Sequence, residues 1–150
     1  MAFLVALILA TGLAQSSPSP PTLSQKREAL RPVVLITTLS PEEVAKRTAP
    51  DALEHDTEVA RNETITIVLT IPECEKAENG ACNASADLVT YKPDGTVHTE
   101  VKNVSLNGRR ATSTLKLTPA DATGLYKVVA TVRDLNARRF ASAERIFGVK

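Results

Sequence analysis

Residues 64–71 read Thr64-Ile65-Thr66-Ile67-Val68-Leu69-Thr70-Ile71. Ile65, Ile67, Leu69 and Ile71 fall on one parity, and Thr64, Thr66 and Thr70 on the other. Side chains of an extended chain alternate between two faces, so this stretch predicts a strand with one buried and one wet side. The same period returns downstream. Ala86-Asp87-Leu88-Val89-Thr90-Tyr91 is a second strand, closed by Pro93-Asp94-Gly95. Proline presets the first turn position and glycine accepts a positive φ, so the chain from Thr96 should run back antiparallel. Asn107-Gly108 reads as a second hairpin turn, between strands at Val101–Leu106 and Ala111–Leu117. The run Tyr126 to Val132 alternates again, turns near Leu135-Asn136-Ala137, and should pair with Phe140 to Val149. Within that last strand Phe140 and Ile146 share one parity while Phe147 and Val149 share the other. A bulge between Ala143 and Ile146 would reconcile them.

Upstream, Arg31-Pro32-Val33-Val34-Leu35-Ile36-Thr37-Thr38 is a β-branched run and reads as a strand. Ser40-Pro41-Glu42-Glu43 then has the form of a capping box, with serine before the first turn, proline inside it and glutamate three residues on. One short helix through Arg47 is expected, stopped by Ala49-Pro50. Six to eight short strands with regularly spaced turns and a single helix point to an all-β fold, an antiparallel β-sandwich, with a small barrel as the competing architecture.

The composition agrees with one folded unit. The chain has 150 residues, 43% hydrophobic and 23% charged, enough for one core but not for two domains and a linker. A net charge of +1 argues against a polyelectrolyte partner, and no nucleic-acid partner is expected. Aromatic residues make up 3% and Trp is missing, which removes the stacking platforms of sugar and single-strand binders.

Residues 1–14 read as a secretory signal: Phe3 to Ala10 is apolar, and Gly12 and Ala14 suit cleavage after Ala14. No Lys or Arg precedes the apolar run, and the run falls short of the about 20 residues that a transmembrane span needs. Residues 15–31 follow as a Ser/Pro-rich tether, where Pro18, Pro20 and Pro21 break both helix and ladder. Residues 32–56 carry the first strand and the helix into the domain, and residues 57–150 are the sandwich itself. The expected location is periplasmic or secreted.

Asp121-Ala122-Thr123-Gly124-Leu125-Tyr126, followed by alternating Val128, Ala130 and Val132, resembles the Asp/Gly/Tyr corner of immunoglobulin-like sandwiches. There the tyrosine hydroxyl closes the turn between sheets on upstream backbone. For Tyr126 that implies a partner near Leu117 to Asp121, with Asp121 and Gly124 shaping the corner. The wider run resembles uncharacterised secreted or periplasmic bacterial proteins with a single immunoglobulin-like domain. The resemblance is carried by Cys74 to Cys82, Ala86-Asp87-Leu88, Tyr91-Lys92-Pro93-Asp94-Gly95, Gly124-Leu125-Tyr126 and Val132-Arg133-Asp134, over about residues 57 to 150. It departs in having no core Trp and in placing its cysteines too close for an inter-sheet disulfide. It implies a fold and a compartment, and no activity.

In an oxidising compartment Cys74 and Cys82 should pair as a staple, worth about 2.5 kcal/mol by chain entropy. A redox pair would space its sulfurs by two residues. Glu73, Glu75 and Glu78 in that loop lack the alternating ligand order of a calcium site, so no metal and no cofactor is expected. His55-Asp56 and His98 are read as solvated loop or strand-face histidines, and no Gly-x-Ser-x-Gly elbow accompanies them, so no catalytic residue is assigned. Residues 109–150 hold nine Lys or Arg against three Asp or Glu. Arg109, Arg110, Arg133, Arg138, Arg139 and Arg145 are therefore candidates for a basic contact edge, or for charges that guard an edge strand. Asn62, Asn83 and Asn103 head Asn-x-Ser/Thr sequons. Three functions follow in order: a non-catalytic exported binding module for an envelope or extracellular protein or polymer; an accessory or chaperone-like subunit acting by strand-edge pairing; and a small hydrolase.

Overall fold

A computed structural model describes residues 30–47, 53, 55–106 and 108–150. The export segment, most of the tether, the Ala49-Pro50 stop and Asn107 lie outside the described residues. In chain order the elements are β1 (Val33–Thr37), α1 (Pro41–Lys46), β2 (Glu58–Val59), β3 (Thr64–Thr70), β4 (Ala84–Tyr91), β5 (Val97–Ser105), β6 (Arg110–Lys116), β7 (Gly124–Asp134) and β8 (Arg139–Val149). They form a three-stranded sheet in the order β1-β3-β6 and a five-stranded sheet in the order β2-β8-β7-β4-β5. The β3-β6 and β4-β7-β8 neighbours reproduce the pairing scheme of an immunoglobulin-like sandwich. Every ladder is antiparallel except the two-residue β2–β8 pairing, which is parallel.

The core lies between the sheets. Ile65, Ile67 and Leu69 of β3 meet Ala86 and Leu88 of β4 and Val128, Ala130 and Val132 of β7. Each buried Val, Leu or Ile contributes about 1.5–3 kcal/mol relative to exposure. Leu30, at the end of the expected tether, is buried in the same core, and β1 pairs with β3 along its whole length. β1 is thus an integral strand of the sandwich.

The wet face expected for β3 is dry at its centre, with Thr64 left exposed and Thr70 half-buried. Val68 packs with Val44 and Leu53, flanked by Leu35 and Leu39, and Thr66 is buried with its hydroxyl donating to the Leu39 carbonyl at 2.6 Å. β3 is the central strand of its sheet, and α1 covers its outer side. The helix begins on the expected capping box: Ser40 Oγ accepts the Glu43 N–H at 3.3 Å and Glu43 accepts the Ser40 N–H at 2.9 Å.

Two turn readings need correction. β5 and β6 do not form a hairpin, because β5 pairs with β4 and β6 with β3. Gly108 and Arg109 both hold positive φ, a conformation that turns a corner between layers as readily as it closes a hairpin. β8 contains no bulge: it pairs residue for residue with β7 from Gly124↔Val149 to Asp134↔Arg139. Its parity conflict is resolved by exposure, with Phe147 and Val149 buried while Phe140 and Ile146 face solvent at 81% and 51%.

Candidate functional site

The β7–β8 turn is built around one carboxylate. The Asp134 side chain is fully buried at the end of β7. Its Oδ2 accepts the Glu75 N–H at 2.9 Å and the Arg139 guanidinium at 3.0 Å, and its Oδ1 accepts the Ala137 N–H at 3.2 Å. Burial pushes its pKa up, but these three donors outweigh burial and hold it below 3.8. Asn136 adds a bond from its side-chain amide to the Glu75 carbonyl at 2.8 Å, and the Leu135 N–H donates to the Asn83 carbonyl at 2.9 Å. Cys74 and Cys82 are bonded to each other, with their Cα atoms 5.8 Å apart. The disulfide loop and the β7–β8 turn are therefore one braced surface at one end of the sandwich.

That surface presents apolar groups to solvent. Leu135 is 53% exposed and Phe140 81%, and a shallow cleft of about 430 Å³ is lined by Thr131, Arg133, Leu135, Arg138, Arg139 and Phe140. Arg133, opposite Phe140 in the ladder, is ion-paired with Asp87. That pairing, with the Asn103 N–H, holds the Asp87 pKa low. Arg138 is exposed at the turn with φ +52°.

The six arginines do not form one basic edge. Arg133, Arg138 and Arg139 cluster at this turn. Arg110 donates to the Val44 and Arg47 carbonyls, closing the C-terminus of α1, and Arg109 donates to the Pro72 carbonyl. Arg145 stands mid-strand on the parity of Phe147, with its Nε buried and without a partner among the described residues. Most of these cations hold backbone or carboxylate in place.

At the opposite end, Tyr126 is fully buried and its hydroxyl donates to the Ala122 carbonyl at 3.0 Å, one residue beyond the expected stretch. Burial first, then the nearby Asp121 and Asp94 carboxylates, raise its pKa. Asp121 accepts the Thr118 N–H at 2.7 Å, the chief cause of its lowered pKa, and bonds His98 Nε2 at 2.8 Å. His98 is a strand-face histidine on β5, but it is largely withdrawn from solvent. Its side chain is 13% exposed, its Nδ1 meets Thr99 Oγ1 at 2.8 Å, and its ring meets Tyr126 edge-on. With both ring nitrogens engaged, the histidine pins β5 to the β6–β7 connection. His55 is exposed. Gly124 has φ +129°, and a Cβ there would meet Pro93 at 3.0 Å.

Among the described residues no group of three or more His, Cys, Asp or Glu is placed to hold a metal ion. No helix among them is long and apolar enough to cross a membrane. The sequon residues Asn62, Asn83 and Asn103 are all exposed. Sequence reasoning gave Asp134 no role of its own. Its signal was an acidic residue closing an alternating strand just ahead of an Asn-containing turn.

No protein-family model matches the chain, and no curated protein matches it. Among solved structures, the chain is similar to a superoxide reductase (neelaredoxin) from Ignicoccus hospitalis, with TM-score 0.44 and 13% identity over 73% of this chain and 93% of that one. It is also similar to a Niemann-Pick type C2 protein from the Japanese carpenter ant, with TM-score 0.38 and 13% identity over 81% of this chain and 92% of that one.

Proposed function

We propose that this protein is a non-catalytic, exported interaction module that binds an envelope or extracellular protein or polymer through its β7–β8 turn. One observation carries the reading: Leu135 and Phe140 stand exposed on a turn that Asp134 locks to the disulfide loop. Exposed apolar side chains on a pre-organised loop lose little entropy on binding, and so contribute more of their burial to affinity. The arginines beside them favour a partner whose contact patch is apolar with acidic groups at its rim. The disulfide suits an oxidising compartment, periplasmic or secreted.

Photo-crosslinking tests the reading. A crosslinking amino acid at Leu135 in cells of the native host should give one dominant adduct that Arg138→Glu abolishes. The same group at Lys127, on the outer sheet face, should give none. Identical adducts from both positions, or none from Leu135, would refute it.

A further inference from the structure

The five-stranded sheet treats its two long outer strands differently. Along β5 the ladder with β4 shifts register twice, between Ala86 and Leu88 and between Thr90 and Tyr91, and Asn103 sits at φ +56°. An edge bent in this way does not receive another strand. β8 follows β7 without a shift, and β2 covers only Gly148 and Val149 on its other side. Residues 139–147 have no second hydrogen-bonded strand among the described residues, with β1 of the other sheet packing beside β8 without a ladder. That stretch contains neither Pro nor Gly. The Gly148 N–H donates to the Thr57 carbonyl at 2.8 Å and the Lys150 N–H to the Val59 carbonyl at 3.0 Å. Even-numbered residues thus aim their backbone groups away from β7. By alternation, the N–H and C=O of Phe140, Ser142, Glu144 and Ile146 line the open edge.

We propose that this edge is the protein's dimerisation surface, β8 pairing antiparallel with β8 of a second copy about a two-fold axis at Ala143. Three features select the same register. The open stretch, bounded by the β7–β8 turn and by β2, is itself centred on Ala143, so this register gives the longest overlap. It places the two solvent-exposed apolar residues of the strand together, Phe140 beside Ile146 of the partner subunit and Ile146 beside Phe140 of the partner subunit. It sets Glu144 beside Ser142 of the partner subunit, whereas an axis at Glu144 would oppose two carboxylates. An axis at Ser142 would set Phe140 against a carboxylate. In the chosen register outward-facing backbone groups meet outward-facing groups, giving about eight new hydrogen bonds. Such a contact is isologous and closes at two subunits. Leu135 and Arg138 lie outside the paired stretch and stay open in the dimer, whereas Phe140 belongs to both surfaces, so a second copy and a partner at the turn would compete for it.

Sedimentation equilibrium of the full exported chain should give twice the chain mass. Ser142→Pro removes an N–H that serves no bond to β7, so it should halve the mass while keeping the circular dichroism spectrum. Ala143→Cys faces its own copy at a non-hydrogen-bonded pair, with Cβ atoms about 4.5–5.5 Å apart, and should form a covalent dimer on mild oxidation. Ala141→Cys, four residues from its counterpart in register, should not. A wild-type chain that stays monomeric up to about 100 µM, where an interface of that affinity would half-assemble, overturns the proposal. So does a dimer that survives Ser142→Pro without crosslinking through Ala143→Cys.

Discussion

The Asp134 carboxylate accepts the Glu75 N–H at 2.9 Å, joining positions 59 residues apart in the chain. Through this bond the end of β7 positions the disulfide loop, and with it the surface that carries Leu135. The interaction is fully desolvated on the Asp134 side and shared with the largely buried Arg139, so its loss strands two backbone donors and weakens the hold on that guanidinium.

Asp134→Asn should therefore destabilise the fold by about 3 kcal/mol at pH 7, the scale for removing one partner of a buried pair. The pH dependence has a definite sign. A carboxyl whose folded pKa lies below its unfolded value stabilises the fold above about pH 4, and that contribution fades as pH falls through the depressed value. Urea midpoints of wild type and Asp134→Asn should therefore differ most near neutrality and converge as the solution is acidified through the depressed value. A constant gap would assign the cost to packing and not to charge.

Tyr126→Phe keeps the ring in its place against Phe147 but leaves the Ala122 carbonyl without its donor. Ala122 is exposed, so water can take the place of the hydroxyl and the cost is that of one hydrogen bond, about 0.5–1.5 kcal/mol. The denaturation midpoint should fall accordingly, with an unchanged m-value. A midpoint within error of wild type would show that the corner bond carries no stability.

Gly124→Ala should be destabilising on two counts, a positive φ of +129° and a Cβ 3.0 Å from the Pro93 ring. The expected loss is about 1–3 kcal/mol. Gly95→Ala is the matched control: its φ is +83°, but nothing lies within 4 Å of the added carbon. Thermal melts should rank wild type above Gly95→Ala and Gly95→Ala above Gly124→Ala.

Replacing Cys74 and Cys82 together by serine should lower stability by about 2.5 kcal/mol while the far-ultraviolet spectrum stays that of a β-sandwich. The Asp134 and Asn136 bonds to Glu75 remain to hold the loop. Intact mass with and without reductant should differ by two hydrogens in wild type and not at all in the variant.

What could be read in the residues was mostly local. Ser40, Pro41 and Glu43 announce a helix start because a capping box is complete within four positions. Pro93-Asp94-Gly95 announces a hairpin because one glycine and one proline meet the turn's dihedral needs. The alternation of Tyr126, Val128, Ala130 and Val132 announces a strand for the same reason. The errors arose where a tertiary neighbour decides. Thr66 and Val68 are compatible with a wet face, and only α1 above them makes that face dry. Gly108 suits a hairpin and a corner between sheets equally. Phe140 and Ile146 looked like core residues, and their exposure becomes visible only in the continuous β7–β8 register. The role of Asp134 and the burial of His98 were not legible because their partners, Glu75 and Asp121, lie far along the chain.

The central place of β3 shapes how the chain comes to be folded. Its first neighbour, β1, precedes it, but its second, β6, follows the whole β4–β5 hairpin. During synthesis a strand with Ile65, Ile67, Val68 and Leu69 and no charge must wait with one ladder open until Arg110 to Lys116 have been made. Uncharged apolar segments with an unpaired edge are where nascent chains aggregate. The speed of the intervening hairpin thus governs how much chain survives to the native state. Substitutions that slow the Pro93-Asp94-Gly95 turn should depress soluble yield in the cell well beyond what the melting point of the purified protein foretells.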